Sequence, residues 1–280
     1  MPTKPLNYAA EIESARKARE RRLIETERSW LTLSGLFTLR EGKNTFGSSP
    51  ENDIHLPGDA VPPQAGAFIL KSGKVTAQPI EGLIMTCNEG PLPKRPLRMD
   101  TEESTDFLRL ANHIMVVIQR ADRIFLRTWD AEHPVRKHFA GLRYYPVDPA
   151  YRIEADFISY KEPRPLSITD VLGNTFEMPH IGYVTFQLHG QECRLEVLGD
   201  EKGIYLSFKD ETNGKTTYGG GRELEAELPR GGKVVLDFNL THNPPCAYTY
   251  FATCPLPPAE NTLPVAVEAG EMIYQKKLMR

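Results

Sequence analysis

The chain has 280 residues, of which 40% are apolar, 25% charged and 9% aromatic. These are globular proportions, so disordered and fibrous classes are excluded, and the length suits one large domain or two ordinary ones. A net charge of −3 gives no long-range pull toward nucleic acid or a membrane surface, and neither is expected as a partner.

Residues 8–28 read as a helix. Asn7 is placed to cap it, Ala9, Ala10, Ala15 and Ala18 favour it, and Leu23 and Ile24 close it with an apolar patch. Six Lys/Arg against five Asp/Glu between Glu11 and Arg28 predict a solvated helix lying across the body. From Trp30 the pattern changes to short apolar runs parted by turn residues, at 34–39, 67–70, 114–118 and 124–129, which predicts an all-β unit. Period-two alternation dominates the second half. Tyr151, Ile153, Ala155 and Phe157 share a face; so do Val184, Phe186 and Leu188; Cys193, Leu195 and Val197; and Ile204, Leu206 and Phe208. That spacing predicts antiparallel sheet with one face buried.

The expected class is therefore mainly β. A short N-terminal helix (1–29) precedes a β-sandwich (30–130), a proline-punctuated linker (131–150) and a C-terminal antiparallel β-barrel or sandwich (151–280). Four scattered cysteines, Cys87, Cys193, Cys246 and Cys254, do not make a disulfide scaffold, although a Cys246–Cys254 bridge stays open. The first residues carry no apolar h-region, and no apolar run approaches the roughly 18 residues of a span. A cytoplasmic location is expected.

Phe46-Gly47-Ser48-Ser49-Pro50-Glu51-Asn52-Asp53-Ile54-His55-Leu56 resembles the opening of a forkhead-associated domain, a β-sandwich whose loops bind phosphothreonine. Two departures argue against that binding. Ser48 stands where the family places an arginine, and the loop with the family's serine and histidine reads Pro62-Pro63-Gln64-Ala65-Gly66 here. A phosphate dianion needs a charged or multiply donating cradle. Asn52 and Asp53 are expected to hold a turn instead.

A wider resemblance runs from about Trp30 to Glu271. Trp30-Leu31-Thr32-Leu33, Tyr144-Tyr145-Pro146-Val147-Asp148-Pro149, Thr217-Tyr218-Gly219-Gly220-Gly221-Arg222, Asn243-Pro244-Pro245-Cys246-Ala247 and Cys254-Pro255-Leu256-Pro257-Pro258 resemble domain-of-unknown-function family 1684. The resemblance implies no activity. His242 departs from the tyrosine usual there, which weakens a zinc reading built on His242, Cys246 and Cys254. No metal or other cofactor is expected.

No GxSxG, Walker A, HExxH or dinucleotide fingerprint occurs. Gly219-Gly220-Gly221 is expected to allow a bulge or a close backbone approach. The chemically dense stretch is 218–261. Tyr218, Arg222, Asp237, Asn239, Asn243 and Asn261 form the expected ligand-binding set, with Asp237 and Cys246 as catalytic candidates. One reading is a site for an anionic small molecule, hydrolytic in its enzymatic form, with Arg222 holding the anion and Cys246 acting only if a base such as His242 reaches it. The other is a non-catalytic binding or scaffold protein. The sequence decides neither between enzyme and binder nor on a protein partner. Arg222 shares an apolar phase with Leu224, Ala226 and Leu228, so it is expected to point inward. One register with the next strand keeps Leu236 and Phe238 inside and sets Asp237 opposite Glu225; a slip of one residue turns Asp237 inward to pair with Arg222, and that pair is the expected outcome.

Overall fold

The computed structural model describes residues 8–275. The protein is mainly β, with 43% of residues in strands and 13% in helices. It divides into two compact units, residues 24–139 and residues up to 23 together with 140 onward.

In the 24–139 unit a six-stranded sheet holds β1 (Leu33–Thr38), β6 (Thr86–Cys87), β7 (Gly90–Pro91), β8 (Phe107–Leu110), β9 (His113–Arg120) and β10 (Arg123–Asp130) in the order β1-β10-β9-β8-β6-β7. A four-stranded sheet holds β2 (Gly42–Gly47), β3 (Ile54–His55), β4 (Gly66–Lys71) and β5 (Lys74–Pro79) in the order β3-β2-β4-β5. Both contribute to one core. Phe46, Ile54, Phe68 and Leu70 come from the smaller sheet, and Leu108, Met115, Val117 and Leu126 from the larger. Asn52 and Asp53 hold the turn after β2. The Asn52 amide donates to the carbonyls of Ser49 and Pro63, and Asp53 accepts from Thr45 N and Oγ1.

The other unit is a nearly closed, barrel-like sheet. Its strands are β11 (Arg152–Thr169), β12 (Thr175–Leu188), β13 (Gln191–Gly199), β14 (Ile204–Phe208), β15 (Arg222–Ala226) and β16 (Lys233–Asp237). They run in the order β15-β14-β13-β12-β11-β16, with every pair antiparallel. The alternating residues named above fill the interior. After β16 the chain abandons regular strands but keeps their period: Leu263, Val265, Val267 and Ala269 are buried in the same core, while Thr262, Pro264 and Glu268 face out. Burial of alternate side chains is thus achieved in an extended, proline-stiffened tail.

The N-terminal helix α1 (Tyr8–Glu25) is solvated over most of its surface, as expected, and buries Ile12, Arg16 and Leu23 on one face. Arg16 and Arg19 are drawn into the barrel unit: Arg16 lies 4.6 Å from the centre of the Tyr144 ring, and Arg19 reaches Glu271, Asn243 O and Tyr248 Oη. Basic residues that read as surface charge in the sequence act as anchors, because buried acceptors wait for them. The expected Asn7 cap lies outside the described residues.

Candidate functional site

Arg222 points inward as expected, but its acid is Asp210, not Asp237. The Nη2–Oδ2 distance is 2.9 Å and neither side chain is exposed. Arg222 also donates to Ala269 O at 2.5 Å and Val267 O at 2.8 Å, so it pins the tail to the barrel. The expected pair fails because β15 and β16 are not neighbours. They stand at opposite ends of the sheet order, β15 on β14 and β16 on β11. On β16 and just beyond it, Val234, Leu236 and Phe238 claim the interior, which turns Asp237 the other way. There it accepts from Tyr8 Oη at 2.8 Å, with Arg152 Nε at 3.8 Å. Leu228, expected inward with Arg222, is exposed.

The three asparagines of the set serve as backbone staples. Asn239 accepts from Asp148 N and donates to Asp148 O. Asn243 donates to Glu271 and to Met272 O. Asn261 bridges β13 and β14, accepting from Glu196 N and donating to Glu196 O and Ser207 O. All three are buried. Their hydrogen-bonding capacity is largely spent inside the fold, as buried amides require.

Glu271 has no exposure and accepts from Arg19, Asn243 and Tyr248. His242 turns Nδ1 toward Asn243 O and Glu223. Burial, then the Arg19 charge, pushes His242 down to about 3, while burial pushes Glu223 up. An uncharged imidazole facing a carboxyl drawn toward its neutral form is not an ion pair, despite the 3.7 Å approach. A base this weak takes no proton from a thiol near neutrality. The hydrolytic Cys246–His242 arrangement therefore lacks its base.

Cys246 has other company. It sits on the short turn Pro245–Ala247, buried in a cluster with Cys254 and Ala252, and half-buried Tyr218 packs against it. Interaction with Cys254, against the upward push of burial and with help from Tyr218, holds Cys246 below the ordinary thiol range. Interaction with Cys246, and then burial, pushes Cys254 up. Both cysteines are free thiols. Sequence reasoning placed Cys254 in the dense stretch but not in the site. The seven-residue gap to Cys246 matches no standard motif, and only the folding back of the tail brings the two together. Among the described residues no three His, Cys, Asp or Glu side chains gather as a metal set.

The unclosed seam between β15 and β16 forms a groove of about 470 Å³. Asp237, Arg152, Glu225, Lys233, Val235 and Leu240 are among its lining residues. Asp237 is the one member of the expected set that lines it.

Residues 137–272 match the family described as protein of unknown function (DUF1684). The match begins well after the Trp30 and Phe46 strings, and the comparisons lend the forkhead-associated resemblance no support. Among solved structures, the chain is 35% identical to an uncharacterized protein of Haloarcula marismortui determined by solution NMR, over 49% of this chain and 78% of that one, with a TM-score of 0.41. No curated protein matches. Among the described residues no helix is long and apolar enough to cross a membrane.

Proposed function

We propose that this chain, which over residues 137–272 belongs to the DUF1684 family, works through a nucleophilic thiol, Cys246, attacking a small electrophilic molecule. One observation carries the reading: Cys246 is buried in one cluster with Cys254, and Tyr218 packs against it. Cys254, with help from Tyr218, holds the Cys246 thiol below the ordinary range, which favours the thiolate, the nucleophilic form. Tyr218 is half-buried and Tyr250, close to it, is exposed, so the cluster lies near the surface. Arg222 and the asparagines support this reading as scaffold, not as ligand contacts.

Alkylation by iodoacetamide across pH tests it. Cys246 is expected to react with a midpoint below the roughly 8.5 of a free thiol. Tyr218→Phe should raise that midpoint, and Cys246→Ser should remove the fast phase. A midpoint at or above that of a free thiol defeats the proposal.

The groove at the seam supports a second reading, a non-catalytic small-molecule site. Its volume falls in the range of ligand pockets, and Arg152, half exposed beside Asp237, can turn toward an anionic group. A panel of small acids should then raise the melting temperature of the wild type and not of Arg152→Glu. Equal shifts in both proteins remove Arg152 from the reading.

A further inference from the structure

We infer that the 24–139 unit holds a ligand site of its own, a pocket of about 330 Å³ on the outer face of its six-stranded sheet, and that the ligand is a small carboxylate with a one-ring apolar body.

The pocket follows from strand register. Phe107 on β8, Val116 on β9 and Arg127 on β10 stand directly opposite one another, so they form one row across three strands. Ile118 and Trp129 lie two positions along their strands from that row and share its face. All five line the pocket. Their neighbours Leu108, Val117 and Leu126 turn to the other face, into the core of the unit. Val116 and Ile118 are buried, which gives the pocket an apolar floor.

Two donors at this pocket lack an acceptor. Arg28, in the segment after α1, rests its guanidinium 3.9 Å from the centre of the Phe107 ring. A guanidinium stacked by its face keeps the N–H groups at its edge for other partners. No carboxylate pairs with Arg28 among the described residues; adjacent Glu27 gives its two oxygens to Arg109, at 2.8 and 3.2 Å. Trp129 is 6% exposed, and its indole Nε1 has no acceptor among the described residues. A buried N–H left without an acceptor costs free energy that a ligand oxygen recovers. Arg127 brings a second positive charge to the lining. The one acid there, Asp100, is engaged by Arg120 Nη1 at 2.7 Å and Gln119 N at 3.1 Å.

This balance selects the ligand. The charge of the wall favours an anion. An arginine edge and an indole N–H match the two oxygens of a carboxylate, whereas a phosphate dianion needs a more densely donating cradle. The apolar floor takes a hydrophobic body, and a volume at the low end of the range for ligand pockets leaves room for one ring. The site lies in a different unit from Cys246 and from the seam groove, so it rests on neither reading above.

The pocket carries its own reporter. The chain has two tryptophans, Trp30 and Trp129, so in full-length Trp30→Phe, with circular dichroism unchanged, all tryptophan emission comes from the pocket. 4-Nitrobenzoate, a one-ring carboxylate that quenches indole emission, is titrated into this protein, with absorbance corrected against N-acetyltryptophanamide. Quenching is expected to saturate. 4-Nitrobenzyl alcohol, neutral and of similar size, should bind about tenfold more weakly, and so should 4-nitrobenzoate once Arg28→Gln is added at that exposed position. Adding Arg152→Glu, in the seam groove, should leave the titration unchanged. Quenching that grows without saturation, equal binding of acid and alcohol, or unchanged affinity with Arg28→Gln overturns the inference. Affinity lost with Arg152→Glu and kept with Arg28→Gln assigns the acid to the seam groove and overturns it as well.

Discussion

Arg222 and Asp210 form an ion pair from which water is excluded on both sides, 2.9 Å apart and without solvent exposure. Asp210 spends its other oxygen on Thr212 N and Oγ1 and on Val267 N. Arg222 spends its remaining reach on two tail carbonyls. Burying two charges is tolerated because nearly every donor and acceptor finds a partner. Removing one member leaves the other charged and unpaired. Arg222→Met is therefore expected to destabilise by about 3–5 kcal/mol, and Arg222→Met with Asp210→Asn by less than the two single changes added together. Urea midpoints at constant slope measure this. A single-variant loss below about 1 kcal/mol, the range of exposed pairs, contradicts it.

Gly221 illustrates a backbone demand that the sequence shows plainly. Its φ is +99°, and a Cβ there would stand 2.8 Å from the carbonyl oxygen of Phe208 and 2.6 Å from Pro257. Gly221→Ala is expected to cost about 1–3 kcal/mol, the range for a side chain forced into the left-handed region. Gly219 has no such constraint; its nearest neighbours would be Gly214 backbone atoms at 3.7 Å and beyond. Gly219→Ala should leave the melting temperature nearly unchanged. Equal losses at both positions would refute the close-approach argument.

Much of the fold is legible because period-two burial is a local signal: Val184, Phe186 and Leu188 announce a strand whatever its neighbour. What is not local leaves a weaker mark. The expected Arg222–Asp237 pair requires consecutive strands to lie side by side, whereas β16 stands at the far end of the sheet order from β15. The alternation of Val234, Leu236 and Phe238 already argued against turning Asp237 inward, and that packing signal outweighed the attraction of opposite charges. Asp210 sits in a turn-rich stretch with no apolar phase to mark it as internal. Arg19 and Glu271 lie 252 positions apart, so their bond has no signature in either segment. The thiol pair is hidden for the same reason, since it depends on how the tail folds back.

The turn after β2 should not bind phosphothreonine. The amides of Ser48 and Ser49 donate to Pro62 O and Pro63 O at 2.9 and 3.2 Å, and the Asn52 amide reaches Pro63 O at 2.8 Å. The donors nearest the position of the missing arginine are thus consumed within the loop, and Ser48 brings no charge to replace them. A dianion meeting spent donors loses water without recompense. Titration with phosphothreonine peptides is expected to show no saturation. Micromolar binding abolished by phosphatase treatment would reverse this conclusion.

His242 gives the barrel unit a pH dependence with a definite sign. Burial and the neighbouring Arg19 depress the folded-state value to about 3, against about 6.5 for a free imidazole. Between these values the unfolded chain binds a proton that the folded chain refuses. The contribution is therefore fully present above about pH 6.5 and is lost as pH falls, at about 1.4 kcal/mol per unit. Glu223 acts in the opposite sense. Its folded value is raised, so its contribution is present in acid and is lost as pH rises through that value. The wild-type curve sums both, which makes the variant difference the useful quantity. His242→Gln removes the imidazole and keeps a neutral side chain beside Glu223. The stability gap between wild type and His242→Gln is expected to shift against the wild type by about 2 kcal/mol on going from about pH 6.5 to about pH 5. Denaturant titrations at matched ionic strength read it directly, and a gap that stays constant over that interval would show that His242 is not held neutral by the fold.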